Sequence, residues 1–264
     1  MTKIIIQGAG VVGQATELFL TAHNQDLNIE FNDPAKGIVV EDSEWATADY
    51  VIVCVNTDLD TTLAIAENST ANVDTAINQA LQNKFAGKVV LRSTCGIDSI
   101  AALYTSLGQN LIVWPEYIVE ASWKQDATKP RFVIVGGDET DDFANLFNEY
   151  TGTTFITDAI EAMIAKLSTN AFLAMKVTFA NQLEKVCQSV GAHYPTVAGL
   201  LKNEGRLGAS HWDVPGPDGQ FGFGGKCFPK DIKTFEAALI KAGQHIDLIR
   251  GVSDINNTLR SNEK

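Results

Sequence analysis

The sequence predicts an α/β fold, in which a Rossmann-type doubly wound parallel sheet is followed by an all-α part with a long central helix. Short apolar segments alternate with helical patterns over residues 3–156. A Gly-x-Gly-x-x-Gly motif stands between the first apolar segment and the first helical pattern, and Ala159 to Val190 contains neither Gly nor Pro. We therefore predict two domains, residues 1–157 and residues 158–264.

The first predicted strand covers Lys3 to Gln7 and leads into Gly8-Ala9-Gly10-Val11-Val12-Gly13, which opens a helix. A strand, this motif and a helix in that order are typical of a dinucleotide-binding turn. The second strand, 27–32, ends at Asp33, twenty residues past Gly13. An acid there suits a ribose 2′-hydroxyl and repels a 2′-phosphate, so the pattern favours NAD over NADP. The alternative for an isolated glycine motif is a plain turn.

Further strands and helices complete the first domain. Strands are predicted at 50–55, 88–91, 111–114, 131–135 and 153–156, and helices at 72–84 and 141–150. Val55-Asn56-Thr57 follows a near-continuous apolar strand, at the end where ligands bind in such sheets. Glu116 and Glu120 follow the 111–114 strand and are candidates for substrate contact or water activation, or else are solvated acids on a loop.

The second domain begins with the long helix, roughly 48 Å if unbroken. Lys166 and Asn170 lie four residues apart on it and share a face. They suit a sugar hydroxyl and an oxygen that gains charge, although an isolated pair of this kind is often simple surface. A helix this long usually packs against another element or subunit, so we predict a homodimer through residues 158–190. Later helices are predicted at 195–202, 232–242 and 246–260.

The densest cluster of reactive residue types runs from Gln220 to Asp231. Glycines at 222, 224 and 225 and aromatic residues at 221 and 223 lead into Cys227, which Lys226 and Lys230 flank. Positive potential favours the thiolate, so we predict a loop that wraps a ligand and presents a nucleophile. The alternative is a buried, inert cysteine beside a glycine-rich turn.

Composition excludes several classes of function. A net charge of −12 and a pI near 4.7 argue against binding to the phosphates of nucleic acid and to anionic membrane surfaces. The four cysteines show no metal-type spacing, and a chain of 264 residues is long for a disulfide framework. There is no leader pattern and no apolar stretch of 18 residues, so we expect a soluble, cytoplasmic protein without a metal.

These motifs together resemble the UDP-glucose/GDP-mannose dehydrogenase family, whose members oxidise a nucleotide sugar's primary alcohol to a carboxylate in two NAD-dependent steps. The cysteine stretch carries the resemblance most strongly, and the glycine motif, Val55-Asn56-Thr57, Ser93-Thr94, Pro115-Glu116, Lys166 to Ala174 and Arg206-Leu-Gly extend it along the chain. The resemblance implies that Cys227 is a nucleophile that forms a thiohemiacetal and then a thioester. It also implies that Arg206 reaches a neighbouring subunit's substrate.

The resemblance also implies three sets of site residues. The catalytic set is Cys227, Lys166, Asn170, Asp231, Glu116 and Thr94. The NAD-binding set is Gly8, Gly10, Val11, Val12, Gly13, Asp33, Val55, Asn56, Thr57, Ser93, Thr94, Glu120 and Lys230. The substrate-binding set is Glu116, Tyr117, Glu120, Lys166, Asn170, Arg206, Phe221, Gly222, Phe223, Gly224 and Gly225.

The chain departs from the family pattern in four places. It carries Asp58 after Val-Asn-Thr, an extra Pro-Gly-Pro-Asp-Gly turn, and Lys226 in place of a small residue, and we expect it to lack the family's C-terminal UDP-binding domain. Three functions therefore stay open. They are a compact nucleotide-sugar 6-dehydrogenase, a 3-hydroxyacid-type dehydrogenase that uses Lys166 and Asn170 without a cysteine, and a non-catalytic NAD-binding remnant.

Overall fold

The computed structural model describes residues 1–119 and 122–261, which form two compact units. The first unit contains Met1–Asp58 and Asn68–Lys166, and the second contains Leu59–Glu67 and Leu167–Lys264. The predicted functional division after residue 157 stays a prediction.

A seven-stranded sheet forms the centre of the first unit, in the order β2-β1-β3-β6-β7-β8-β9. Its strands are β1 (Thr2–Gln7), β2 (Leu27–Asn32), β3 (Tyr50–Val53), β6 (Lys88–Leu91), β7 (Leu111–Val113), β8 (Phe132–Gly136) and β9 (Thr153–Thr157). Two further short strands, β4 (Leu59–Asp60) and β5 (Glu67–Asn68), pair with each other. Order and class confirm the predicted doubly wound fold.

One pairing in this sheet differs from the all-parallel expectation. Strand β8 runs antiparallel to β7, with Val113 opposite Gly136, and β9 runs parallel to β8. An apolar run such as Phe132–Gly136 looks the same in either direction, so its sequence could not indicate the reversal.

Six helices accompany the sheet within the described part of the first unit. They are α1 (Val11–His23), α2 (Asp42–Trp45), α3 (Ala71–Gln82), α4 (Ile97–Leu107), α5 (Trp123–Thr128) and α6 (Asp141–Ala144). The predicted helix 141–150 is shorter, because α6 passes into a 3-10 turn at Asn145–Phe147. Helix α4 was not predicted, although Ile97, Ile100 and Tyr104 recur at helical spacing. Among its residues only Ile100 is buried.

The core of the first unit explains why the central strands are apolar on both faces. Ile4, Ile6 and Ile52 are fully buried, and Trp114 stacks on Phe147 with ring centroids 5.6 Å apart. Full burial of each such side chain contributes about 1.5–3 kcal/mol. This rigid layer fixes the carboxyl ends of the strands, where the candidate residues lie.

The second unit is helical. Its main helices are α7 (Ala159–Val190, which begins in the first unit), α8 (Tyr194–Asn203), α9 (Phe228–Lys241) and α10 (Asp247–Ser261). Helix α9 begins four residues before the predicted Ile232, because Pro229 is compatible with a first helical turn. Cys227 is therefore the residue that caps the N-terminus of α9.

Candidate functional site

The turn after β1 has the close backbone approach that a dinucleotide-binding motif requires. A Cβ at Gly13 would lie 1.9 Å from the Gly8 carbonyl oxygen, so only glycine lets α1 pack this tightly. Gly8 has φ +102°, and a Cβ there would meet the Cys54 carbonyl oxygen at 2.5 Å. A Cβ at Gly10 would meet nothing within 4 Å. Gly10 caps α1 without a side-chain hydrogen bond, so this helix N-terminus suits a pyrophosphate.

Asp33 lies beside this turn, as its spacing predicts. Its Oδ2 accepts a hydrogen bond of 2.9 Å from the Ala9 N–H. The Lys36 ammonium lies 3.8 Å from the same oxygen and donates to the Ala9 carbonyl at 2.7 Å. One carboxylate oxygen is thus fixed against the glycine turn, in a position that fits recognition of a ribose hydroxyl.

The carboxyl ends of β3 and β6 bring together four of the predicted cofactor residues. The Ser93 hydroxyl donates to the Val55 carbonyl at 2.7 Å, and the Thr57 hydroxyl donates to the Thr94 carbonyl at 2.8 Å. Asn56 is exposed and donates to Asp58 Oδ1 at 2.6 Å. These contacts fix several polar groups at the carboxyl ends of the strands, beside the glycine turn.

Glu116 and Lys166 form a buried ion pair. Lys166 Nζ lies 3.0 Å from Glu116 Oε1, and the two residues are 4% and 8% exposed. Glu116 Oε2 accepts the Ile118 N–H at 2.8 Å, and the lysine ammonium lies 5.0 Å from the centre of the Tyr117 ring. Three predicted residues therefore meet, and the alternative of solvated or surface groups is wrong for Glu116 and Lys166. Glu120 lies outside the described residues.

Arg92 is a buried charge that the sequence analysis missed. It is 7% exposed, its guanidinium carbon lies 3.9 Å from the centre of the Trp114 ring, and burial lowers its pKa despite the charge of Glu116. Its Nε is buried without a hydrogen-bond partner among the described residues. An arginine directly after an apolar strand was the available signal.

A second polar cluster lies wholly in the second unit. The Asn170 amide donates to Asp231 Oδ2 at 2.7 Å, and Lys230 Nζ lies 2.6 Å from Asp231 Oδ1. Asn170 and Asp231 are buried. The Asp231 N–H donates to the Cys227 carbonyl at 2.9 Å, which places Cys227 one helical turn before the carboxylate. The structure therefore links Asn170, Lys230 and Asp231 directly and Cys227 through its backbone.

Cys227 differs from the other cysteines in its exposure. Its side chain is exposed, whereas Cys54, Cys95 and Cys187 are buried. Burial raises the pKa of the Cys54 thiol to about 11, so Cys54 stays protonated. The alternative of a buried cysteine at position 227 is therefore wrong, and its role as a nucleophile stays a prediction.

The remaining predicted substrate-binding residues differ from one another in how exposed they are. Arg206 is highly exposed and pairs with Glu204. Phe221 packs against Lys185, whose ammonium lies 4.7 Å from its ring centre. Gly222 and Phe223 are buried, whereas Gly224 is half-buried and Gly225 is exposed.

His211 is a strained, half-buried residue that was not predicted. Its φ is +64°, its ring lies 5.8 Å from that of Phe228, and its Nδ1 is buried without a partner among the described residues. Burial and the charge of Lys176 lower its pKa, while Asp213 acts in the opposite direction. Lys176 itself donates to two backbone carbonyls, those of Leu207 and Gly208, at 2.9 Å each.

We expect His211→Asn to reduce the loss of stability in acid. Because the folded pKa is lowered, the unfolded chain binds more protons as pH falls below about 6.5, so folding loses stability there and regains it above that pH. Asn tolerates the same φ and does not titrate. Between pH 7.5 and 5, the fall in Tm should shrink by a few degrees. His245→Asn, at an exposed position, is the control; equal Tm curves for both variants would contradict this.

Neither a membrane-spanning helix nor a metal-binding cluster occurs within residues 1–119 and 122–261. No helix there is both long and apolar enough to span a membrane. Across the same ranges, no group of three or more His, Cys, Asp or Glu side chains is arranged to hold a metal ion.

Comparison with known proteins identifies relatives of this chain. The model of the UDP-glucose/GDP-mannose dehydrogenase family, central domain, matches residues 160–258. UDP-glucose 6-dehydrogenase of Rickettsia conorii is 27% identical over 244 residues, which cover 88% of this chain and 54% of that protein. The chain spans about half the length of the curated relatives it matches, with shares from 30% to 67%.

Two solved structures share the fold. A UDP-glucose dehydrogenase from Pyrobaculum islandicum superposes with a TM-score of 0.82 at 19% identity, covering 98% of this chain and 68% of that chain. A 3-hydroxyisobutyrate dehydrogenase from Mycobacterium tuberculosis superposes with a TM-score of 0.76, also at 19% identity, covering 99% of this chain and 94% of that chain. At this identity the likeness concerns the fold.

Proposed function

We propose that this chain is a member of the UDP-glucose/GDP-mannose dehydrogenase family and that it oxidises the primary alcohol of a nucleotide sugar to a carboxylate with NAD. The observation that carries the proposal is the exposed thiol of Cys227 at the start of α9, one turn before the buried Asn170–Asp231 contact. Retention of a cysteine in this setting favours a covalent second oxidation.

The first unit supplies most of the residues assigned to NAD, and Lys230 belongs to the second unit. The N-terminus of α1 would hold the pyrophosphate at Gly10, with Val11 and Val12 beginning the helix, and Asp33 would bind the adenosine ribose. Val55, Asn56, Thr57, Ser93 and Thr94 would line the nicotinamide side. Bound NAD would take up one hydride in each of the two oxidations.

Cys227 would carry the second oxidation. Its sulfur adds to the aldehyde carbon left by the first oxidation, and the thiol proton passes to the carbonyl oxygen. Loss of a hydride from that carbon and of the hydroxyl proton leaves a thioester. Water then adds to the thioester carbon and the thiol departs, giving a carboxylate and the free cysteine. The covalent adduct removes the need to hydrate the aldehyde first.

Lys166 and Asn170 are the donors assigned to the oxygen that gains charge. Each is oriented by a carboxylate, Lys166 by Glu116 and Asn170 by Asp231, and both pairs are buried. Preorganised donors of this kind act without reorganising during the reaction. We assign Glu116 and Asp231 the further task of orienting the hydrolytic water, with Lys230 fixing Asp231.

The test is the amount of NADH formed per sugar consumed. UDP-glucose, GDP-mannose and N-acetylated UDP-sugars are each incubated with the protein and NAD, and in parallel with NADP. Two NADH per sugar, with NAD preferred, supports the proposal. No reduction with any sugar would leave the non-catalytic NAD-binding alternative.

A 3-hydroxyacid dehydrogenase is the second candidate, and the near-complete superposition on the 3-hydroxyisobutyrate dehydrogenase favours including it. That reaction would use Lys166 and Asn170 and would leave Cys227 idle. The same assay with 3-hydroxyisobutyrate and L-serine separates the two, because this candidate yields one NADH per substrate and no covalent adduct.

We further propose that the protein is a homodimer through α7. Phe172, Phe179, Val186 and Val190 are all exposed on this helix at spacings of seven, seven and four residues. Such spacing gives a continuous apolar stripe suited to a second helix. Phe172→Glu should shift the mass measured by light scattering from dimer towards monomer. A monomeric wild type at working concentration would refute the dimer.

A further inference from the structure

Two buried asparagines hold the backbone of the glycine-rich loop before Cys227. The Gly222 N–H donates to Asn181 Oδ1 at 3.0 Å, and the Phe223 N–H donates to Asn256 Oδ1 at 2.7 Å. Asn256 Nδ2 donates back to the Phe223 carbonyl at 3.0 Å. Asn181 and Asn256 are 1% and 6% exposed, so water competes little for these bonds.

The geometry of each asparagine is itself fixed. Asn181 Nδ2 donates to the Val177 carbonyl on its own helix at 2.8 Å, which leaves Oδ1 to accept from the loop. Asn256 bonds both the N–H and the carbonyl of Phe223, so its amide acts like a neighbouring peptide group. Gly222 has φ +72°, and a Cβ there would lie 2.4 Å from Asn256 Oδ1. The asparagine therefore occupies the room that a side chain at position 222 would need.

Arg260 lies one turn of α10 after Asn256 and also binds this loop. Its Nη2 donates to Asp218 Oδ2 at 2.7 Å and to the Gly222 carbonyl at 3.4 Å, and its Nη1 donates to Gln220. A Cβ at Gly224 would lie 2.8 Å from the same guanidinium. One face of α10 thus contacts residues 218–224.

The loop changes character after Gly224. Gly225 is exposed with φ +75°, and a Cβ there would meet nothing within 4 Å. Lys226 and Cys227 are also exposed. Phe223 and Phe228, which bracket this exposed turn, contact each other with ring centroids 6.1 Å apart. The exposed turn that carries the thiol therefore follows directly on Phe223 and Gly224, and Asn256 binds the backbone of Phe223.

We propose that Asn256, supported by Asn181, is a positioning residue that fixes the base of the Cys227 turn and thereby the direction of the thiol. The grip itself follows from the contacts above, whereas its effect on turnover rests on the proposed function. The proposal also divides the predicted substrate-binding glycines. Gly222 bonds Asn181 and Arg260, and Gly224 lies against the Arg260 guanidinium, which leaves Gly225 as the glycine open to substrate.

Asn256→Asp gives a pH-dependent test of the grip. A neutral carboxyl can accept from the Phe223 N–H and donate to its carbonyl, whereas a carboxylate can only accept and faces that carbonyl with a negative charge. Burial raises the pKa of the introduced carboxyl above its ordinary value. The variant should hold the loop in acid and release it as pH rises, while the wild type should not change in this way.

Amide hydrogen exchange of the peptide spanning residues 219–228 reports the grip without substrate or cofactor. Protection factors, corrected for intrinsic exchange, are measured from pH 5 to 8 for wild type, Asn256→Asp, Asn256→Leu and the control Asn257→Asp, whose position is exposed on the same helix. We expect protection to be low throughout in Asn256→Leu, to fall with pH in Asn256→Asp, and to follow the wild type in Asn257→Asp. Equal protection in all four proteins would overturn the grip.

Measurement of kcat then shows whether Asn256 positions the thiol for reaction or only stabilises the loop. In folded Asn256→Leu, kcat for the second oxidation should fall about tenfold, because small displacements of a reacting group are costly. Asn256→Asp should approach the wild-type kcat in acid. An unchanged kcat in a loop shown to be released would overturn the positioning role while leaving the proposed function intact. If the wild type oxidises no sugar, the proposed function fails. The positioning role is then tested by the rate at which iodoacetamide alkylates Cys227. An alkylation rate that is the same in the wild type and in a variant with a released loop would overturn the positioning role.

Discussion

Replacement of Cys227 by serine should stop the reaction after the first hydride transfer. A hydroxyl is far less ionised than a thiol and forms a poor leaving group from an ester, so the covalent route closes. The rate of NADH formation from the isolated aldehyde should fall about a thousandfold or more. Binding of NAD, followed by calorimetry, should be unchanged, because all the described residues assigned to it except Lys230 lie in the first unit.

Cys187→Ser serves as the control for this experiment, since Cys187 is buried at 4% exposure on α7. After incubation of Cys227→Ser with NAD and sugar, the intact mass of the protein should show a trapped adduct, or mass spectrometry of the small-molecule products should show released aldehyde. Formation of two NADH per sugar by Cys227→Ser at the wild-type rate would remove Cys227 from the reaction.

Lys166→Met should have the largest effect on stability. It leaves the Glu116 carboxylate buried without its partner at 3.0 Å, and breaking a buried pair in this way costs about 3–5 kcal/mol. Removal of a preorganised donor should also lower kcat about a hundredfold. Urea denaturation measures the free energy of unfolding, and the NADH assay measures kcat.

The double variant Glu116→Leu/Lys166→Met separates the two effects. Replacing both partners by apolar side chains removes the unpaired charge, so most of the stability should return. Activity should not return, because the donor is still absent. A double variant that recovers kcat along with stability would show that the pair only supports the fold.

The elements that could be predicted are those whose pattern is local. Strands β2 and β6 and helix α7 have the bounds that their apolar spacing indicated. The glycine turn and Asp33 meet because the βαβ unit sets their separation. Helix α9 begins four residues before the predicted Ile232, because a helix tolerates proline, here Pro229, in its first turn.

The residues that could not be predicted act through distant partners. Asn181 and Asn256 lie 41 and 33 residues from the backbone groups they bind, and an asparagine in a helix carries no mark of such a partner. Arg92 and His211 were missed for the same reason, since burial of a polar side chain depends on what packs over it. Lys166 and Glu116, 50 residues apart, were each predicted as candidate site residues, but the sequence could not show that they pair with each other.

The reversed direction of β8 and β9 has a consequence for insertions and deletions. Strand β9 ends at Thr157, and α7 begins against Gly136, where a Cβ would lie 2.7 Å from that of Ala162. The first two turns of α7 then deliver Lys166 to Glu116, three residues beyond the end of β7. One residue added or lost between Thr157 and Lys166 would rotate the ammonium about 100° around the helix axis. The length of this segment is therefore fixed to the single residue, whatever its composition.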